Sequence, residues 1–246
     1  MFRIRMFLFL CALACAGAAS TASAADRLVV YEAYPPYEML DRDGVITGIH
    51  IDMAREAFRR MGDSVKFEAR PWRRALQDIR TGDAFAASSG FRIPEREEYA
   101  FYPDEPLSDE VTVIAANKVS GVEVNSLEDL RGLTVGVVSG YVYGHGFEEL
   151  DGLKKEYSNS NDLLLKKLFN FRVDVIIGNR DVLRHLTREQ DRSAHIRFVY
   201  EVGRQPLYLF FSKAFGMEAK RAAERFSEAI REMRRDGTVD RILRKY

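Results

Sequence analysis

Leu28-Val29-Val30-Tyr31 runs into Tyr34-Pro35-Pro36-Tyr37, then through Asp41-Arg42-Asp43-Gly44 to Gly48-Ile49-His50-Ile51-Asp52 and the helical stretch Met53–Met61. An apolar, β-branched run that stops at an aromatic-proline turn reads as a strand with two tyrosines at its carboxyl end. The glycine-punctuated excursion that follows reads as a hairpin, and apolar residues at helical spacing then take over up to Gly62. Open α/β sheets gather their ligands at the carboxyl ends of strands. Tyr34 and Tyr37 are therefore the first candidate site residues.

Working outward, strand and helix signals alternate, which argues for α/β layering. Val65–Glu68 reads as a strand, Trp72–Arg80 as a helix closed by Gly82, Ala84–Ser88 as a short strand, and Val111–Ala116 as a strongly β-branched one. The pattern then restarts. Leu127–Leu130 is a short helix capped by Ser126, and Thr134–Val138 is a strand. Asp162–Phe169 is a helix, Val173–Ile177 a strand, Asp181–Leu186 a helix, and Phe198–Tyr200 and Leu207–Ser212 are two further strands. A long helix, Met217–Arg235, carries Ala222, Phe226, Ala229, Ile230 and Met233 on one stripe, and Thr238 is expected to cap a last short helix. Two successive βαβ sets with a C-terminal return predict two lobes, with crossovers near Ser108–Val113 and Gly203–Tyr208.

The amino terminus reads as an export signal. Arg3 and Arg5 precede the short apolar core Met6–Leu13, and Ala22-Ser23-Ala24 offers an A-x-A cleavage site, so residues 1–24 are excluded from the fold. A lipid anchor at Cys15 competes, with Leu13 at the wrong spacing. Both cysteines of the chain, Cys11 and Cys15, fall in this segment. The remaining 222 residues would hold together by a hydrophobic core without disulfides. Their 35 basic and 37 acidic residues offer no general attraction to nucleic acid or to an anionic membrane.

Several segments in register resemble the extracytoplasmic solute-binding proteins of family 3, which include the polar-amino-acid receptors of ABC importers. They are Tyr34-Pro35-Pro36-Tyr37, Gly48-Ile49-His50-Ile51-Asp52, Pro71-Trp72-Arg73-Arg74-Ala75-Leu76, Ser88-Ser89 with Pro94-Glu95-Arg96, Ser126–Gly132 with Val135-Gly136-Val137, Arg172-Val173-Asp174, and Arg235-Asp236-Gly237-Thr238 with Lys245-Tyr246. The resemblance implies an α/β, two-lobed periplasmic-binding-protein fold of the type II, Venus-flytrap kind, hinged on two crossover strands. It divides the chain into lobe 1 (25–110), lobe 2 (111–206) and a lobe 1 return (207–246). It also implies a periplasmic receptor, monomeric, that delivers an amino acid or related carboxylate to an ABC permease, with no cofactor and no metal.

Residue by residue, the resemblance makes Arg96 the clamp for a ligand carboxylate, a task that suits the two parallel donors of a guanidinium. Ser88 and Ser89 would assist it, and Tyr34, Tyr37 and Trp72 would enclose the rest of the ligand. In the second lobe, Gly140-Tyr141-Val142-Tyr143-Gly144-His145-Gly146 follows a strand. It is expected to open a helix whose free N–H groups meet an anionic ligand end, with Tyr141 closing on the ligand. Asn179 stands where amino-acid-binding members carry an aspartate and brings no charge. The ammonium partner would then be Glu32 or Asp181. Arg92 is a candidate second cation, which would suit an acidic ligand.

Other classes find less support. His50, His145, His185 and His195 show no metal-ligand spacing, Ser139-Gly140 lacks the surroundings of a nucleophile elbow, and no phosphate loop or dinucleotide fingerprint occurs. Two alternatives stay open: a dehydratase-like enzyme on the same fold with Glu32 as acid/base, and a receptor that signals to a separate membrane partner.

Overall fold

The computed structural model describes residues 26–246; the expected signal segment and Cys15 lie outside the described residues. In chain order the strands are β1 (Arg27–Tyr31), β2 (Met39–Leu40), β3 (Ile46–Thr47), β4 (Val65–Ala69), β5 (Ala86–Phe91), β6 (Ala100–Phe101), β7 (Ser108–Asn117), β8 (Thr134–Val138), β9 (Lys154–Ser158), β10 (Val175–Asn179) and β11 (Ile196–Ser212). The helices are α1 (Ile49–Met61), α2 (Trp72–Thr81), α3 (Pro94–Glu97), α4 (Asn161–Phe169), α5 (Arg180–Glu189), α6 (Gly216–Arg235) and α7 (Thr238–Leu243).

The sheet runs β4-β1-β5-β11-β7-β10-β8-β9, with β6 on β11, while β2 and β3 form a separate hairpin. β1 is parallel to both β4 and β5, and β8 is parallel to both β10 and β9. These are two parallel βαβ units, one at each end. Between them β7 and β11 pair antiparallel from Ile196↔Asn117 to Leu207↔Ser108. This pair is the structural bridge between two lobes, and the fold is a two-lobed type II binding-protein fold.

The largest buried apolar cluster is continuous between the lobes, from Val29, Phe58 and Phe226 to Leu164, Leu168 and Val182. In the first lobe, Phe58 of α1 packs its ring 5.6 Å from Phe226 of α6 and 6.2 Å from Phe211 of β11. The apolar stripe of α6, from Ala219 through Ala222, Phe226 and Ile230 to Met233, is buried as its spacing predicts. α1 ends at Gly62 with φ 74°, a left-handed stop that glycine adopts without penalty. In the second lobe Leu130, Val135, Val175 and Ile177 pack around Phe147.

Four local expectations change, and one strand, β9, is additional to those expected. Thr238 is the first residue of α7 rather than its cap, which is Gly237, and no side chain caps that helix. Phe198–Tyr200 and Leu207–Ser212 are parts of one 17-residue strand, β11. The polar stretch Glu201–Gln205 hides that continuity, which is imposed by pairing with β7 rather than by apolar periodicity. The strand expected at Ala84–Ser88 lies later, at Ala86–Phe91. β9, Lys-Lys-Glu-Tyr-Ser, lacks an apolar pattern because it is a charged edge strand. Finally, Gly140–Gly146 opens no helix: it is an irregular loop with Gly140, Gly144, His145 and Gly146 all at positive φ.

Candidate ligand-binding cleft

The residues after β1, the end of β5, the start of β7 and the loop after β8 converge where the two lobes face each other. Of the sequence candidates, Glu32, Tyr34, Trp72, Ser88, Ser89, Arg96 and Tyr141 line one cavity there. Tyr37 and Asn179 lie behind its wall. The Tyr37 hydroxyl reaches Asp181 Oδ2 at 3.3 Å. Asn179 Oδ1 accepts from the backbone N–H groups of Asp181 and Val182 at 2.8 and 3.0 Å, capping α5. Arg92 is outside the cavity, bound to Glu97 at 2.6 Å, so it is no second cation for the ligand.

Arg96 is only 4% exposed although it belongs to a short surface helix. Its Nη1 donates to the Phe91 carbonyl at 3.0 Å, and its guanidinium lies 5.3 Å from the Trp72 ring centroid. It makes no ion pair with any described residue, and burial of an unpaired charge is costly. Ser88 Oγ, also buried and facing the cavity, has no hydrogen-bond partner among the described residues. A carboxylate would satisfy both groups at once.

The sequence reading missed Glu38 and Glu110, which line the same cavity at 1% and 5% exposure. Tyr34 donates to Glu110 Oε2 at 2.7 Å, and Ser89 Oγ donates to Glu38 Oε1. His50, fully buried, touches Ser89 Oγ through Nδ1 at 2.6 Å and Ser108 Oγ through Nε2 at 2.8 Å, and it stacks on Tyr37 at 4.5 Å. The signal in the sequence is slight: single acids beside an aromatic turn (Tyr37-Glu38) and ahead of an apolar run (Glu110-Val111).

Local backbone geometry holds these side chains. A Cβ on Gly48, whose φ is 126°, would stand 2.2 Å from the Tyr37 carbonyl oxygen. Only glycine lets the start of α1 approach so closely that His50 N–H donates to that oxygen at 3.0 Å. Ser89 itself has φ 62°, a left-handed conformation that costs a non-glycine residue about 1–2 kcal/mol and is held by its two side-chain partners.

Across the cleft, Tyr141 donates to Glu32 Oε2 at 2.6 Å, while the backbone N–H of Trp72 donates to Glu32 Oε1 at 3.2 Å. Burial raises the Glu32 and Glu110 carboxyls above the ordinary carboxylate range, and the tyrosine hydrogen bonds offset this only in part. Burial also raises the hydroxyls of Tyr34 and Tyr141, with the facing carboxylates adding to the effect. The N–H groups expected to bind an anionic ligand end in the glycine-rich loop already have an anion from the chain. Glu148 accepts from Tyr143 N at 2.6 Å and from Gly144 N at 2.9 Å.

Residues 27–246 match the family described as bacterial extracellular solute-binding proteins, family 3. The chain belongs to that family. An arginine-binding periplasmic protein of Mannheimia haemolytica is 25% identical over 235 residues, covering 94% of each chain. The structure of an ancestral arginine-binding protein bound to arginine superposes on this solute-binding protein with a TM-score of 0.79 at 24% identity, over 91% of this chain and 98% of the other. A histidine kinase sensor domain with similarity to periplasmic binding proteins gives a TM-score of 0.79 at 21% identity, over 90% and 96%. At these identities the two structural likenesses establish the fold. Among the described residues of this solute-binding protein no group of three His, Cys, Asp or Glu is arranged to hold a metal, and no helix is long and apolar enough to cross a membrane.

Proposed function

We propose that this solute-binding protein is a periplasmic receptor for an amino acid or closely related carboxylate, held between the lobes and handed to the permease of an ABC transporter. The observation that carries the reading is Arg96, a buried guanidinium without an ion-pair partner that faces the cavity. The ligand carboxylate sits on Arg96 and Ser88. Tyr34, Trp72 and Tyr141 enclose the adjoining atoms, and Glu32, Glu38 and Glu110 face any ammonium group. Lobe 1 comprises 25–110 and 207–246, lobe 2 comprises 111–206, and closure bends β7 near Ser108–Val113 and β11 near Gly203–Tyr208. Ligand shifts the open–closed balance only by binding the closed form better.

A thermal-shift screen of the protein against amino acids, their deaminated acids and polyamines tests this, because a bound ligand raises the melting temperature by mass action. The reading expects a rise with at least one amino acid or deaminated acid. A rise with none of them, or turnover of prephenate or arogenate in the same plate, contradicts it.

A further inference from the structure

A buried histidine links the start of a crossover strand to the cavity. His50, on α1, is fully buried. Its Nε2 lies 2.8 Å from Oγ of Ser108, the first residue of β7, and its Nδ1 lies 2.6 Å from Oγ of Ser89 in β5. Ser89 continues the chain to Glu38 Oε1, which also stands 3.6 Å from His50 Nδ1. Glu38 and Ser89 line the cavity that holds Arg96, together with Glu32 and Glu110. The turn before α1 faces the ring with two titratable groups, Glu38 and Tyr37, the latter stacked at 4.5 Å. β5 and β7 face it with the Ser89 and Ser108 hydroxyls, and on α1 itself Asp52 and Arg55 pair with each other at 3.1 Å.

The direction of these bonds follows from their chemistry. A carboxylate only accepts, so the Ser89 hydroxyl hydrogen goes to Glu38. The bond between Ser89 and His50 then needs its hydrogen on Nδ1. Nε2 is left to Ser108. In a neutral ring Nε2 accepts the Ser108 hydroxyl hydrogen, and in a protonated ring it donates to the Ser108 oxygen. Both charge states keep every contact, and only that hydroxyl has to turn. The ring can therefore take a proton without losing a hydrogen bond, beside a carboxylate that would become its counter-ion.

We infer that His50 is a specificity-determining residue of the cleft, acting through Ser89 and Glu38. With a neutral ring, Glu38 is a carboxylate without a cation that faces the cavity, and it selects a ligand carrying an ammonium group. With a protonated ring, the imidazolium is the cation of Glu38, and the cleft loses its preference for amino acids over the same acids without the ammonium. This rests on the proposed receptor function and adds to it the group that decides between those two ligand classes. Its role is that of a positioning residue with a variable charge, since the ring itself is walled off from the cavity by Ser89 and Glu38.

Nitrogen NMR of the wild-type protein labelled in its histidines reads the ring without any ligand. His50 is expected as the Nδ1–H form at about pH 8 and with both nitrogens protonated in acid, and Glu38→Gln should move that second protonation to lower pH. An Nε2–H form, or a titration indifferent to Glu38→Gln, overturns the proposal and leaves the receptor reading intact. Calorimetry then uses pairs that differ in the α-ammonium alone: L-glutamine with glutaramate, L-leucine with 4-methylpentanoate, and L-arginine with 5-guanidinopentanoate. Measurements at about pH 8 and about pH 5.5 bracket the ordinary histidine value of about 6.5. At the higher pH the amino acid should bind at least about tenfold tighter than its partner, as a charged hydrogen bond provides, and most of that advantage should vanish at the lower. His50→Gln should show the same ratio at both. No amino-acid advantage at about pH 8, or a pH dependence that survives in His50→Gln and so belongs to Glu32 or Glu110, overturns the proposal. If folded wild type binds neither an amino acid nor a deaminated acid, the receptor reading fails and the role of His50 with it.

Discussion

Carboxyl groups are handled in opposite ways on the two sides of lobe 1. In the cleft, Glu110 and Glu32 are held by tyrosine hydroxyls at 2.7 and 2.6 Å, and burial raises both above the usual carboxylate range. On the far side, where α1 meets α6 and α7, Glu56 lies 2.7 Å from Arg59 and 2.8 Å from Arg60, and Arg60 reaches Asp236 at 2.7 Å. Arginine hydrogen bonds hold Glu56 down at about 2, and bonds from Thr238 and Arg60 hold Asp236 at about 2. The outer carboxylates have their cations built in. The cleft carboxyls have neutral donors, and the one guanidinium among them has no carboxylate. A protein that keeps both signs unpaired in the same crevice leaves the pairing to something that enters it.

The largest expected effect on stability that separates the two regions comes from Tyr34→Phe. It leaves a buried carboxyl short of its donor and should lower the unfolding free energy by about 1–3 kcal/mol in urea at neutral pH. A loss below about 0.5 kcal/mol would mean that Glu110 is hydrated rather than held. Arg60→Ala removes a half-buried partner of three carboxylates, Glu56, Glu232 and Asp236, and is expected to cost about 1 kcal/mol. Arg59→Ala, on an exposed pair whose carboxylate retains Arg60, should have the smallest effect of the three and lose even that in high salt.

Acid should act on the two regions with opposite sign. A carboxyl raised by folding stabilises the fold below its unfolded value, and that contribution is lost as pH rises through the folded value. Glu110→Gln carries no such titration, so wild type should lose stability relative to the variant as pH rises from the ordinary carboxylate range through the raised folded value, and the difference should then level off. Lowered carboxylates behave the other way: the contribution of Asp236 and Glu56 is present above the ordinary carboxylate range and disappears as pH falls through about 2. Chemical-denaturation curves of wild type, Glu110→Gln and Arg60→Ala across pH check both signs. A Glu110→Gln difference that shrinks with rising pH would contradict the burial of that charge.

Local patterns made the scaffold legible. β-branched runs announced β1, β7 and β8, and the alanine-phenylalanine stripe announced α6, because in each the side-chain period alone decides which face is buried. Arg96, Trp72 and the Tyr34 turn were reachable through the family resemblance, and they line a single cavity with Ser88, Ser89, Glu32 and Tyr141. What stayed hidden depends on contacts between distant segments. Glu38 and Glu110 look like solvated acids until Ser89 and Tyr34 are brought to them from 51 and 76 residues away. The glycine-rich loop looks like a helix start until Glu148 fills it. Gly203 and its neighbours look like a break until β7 pairs across them.

The central claim is that Arg96 is the charged grip on a ligand carboxylate inside the cleft. Calorimetric titration of the amino acid that gives the largest thermal shift, into wild type, Arg96→Ala and Arg92→Ala, tests it most directly. Removing one partner of a buried, hydrogen-bonded charge pair costs about 2–5 kcal/mol. Arg96→Ala should therefore weaken binding by roughly two orders of magnitude or more, with Arg92→Ala close to wild type. Equal affinity for wild type and Arg96→Ala, with both proteins folded, would contradict the account.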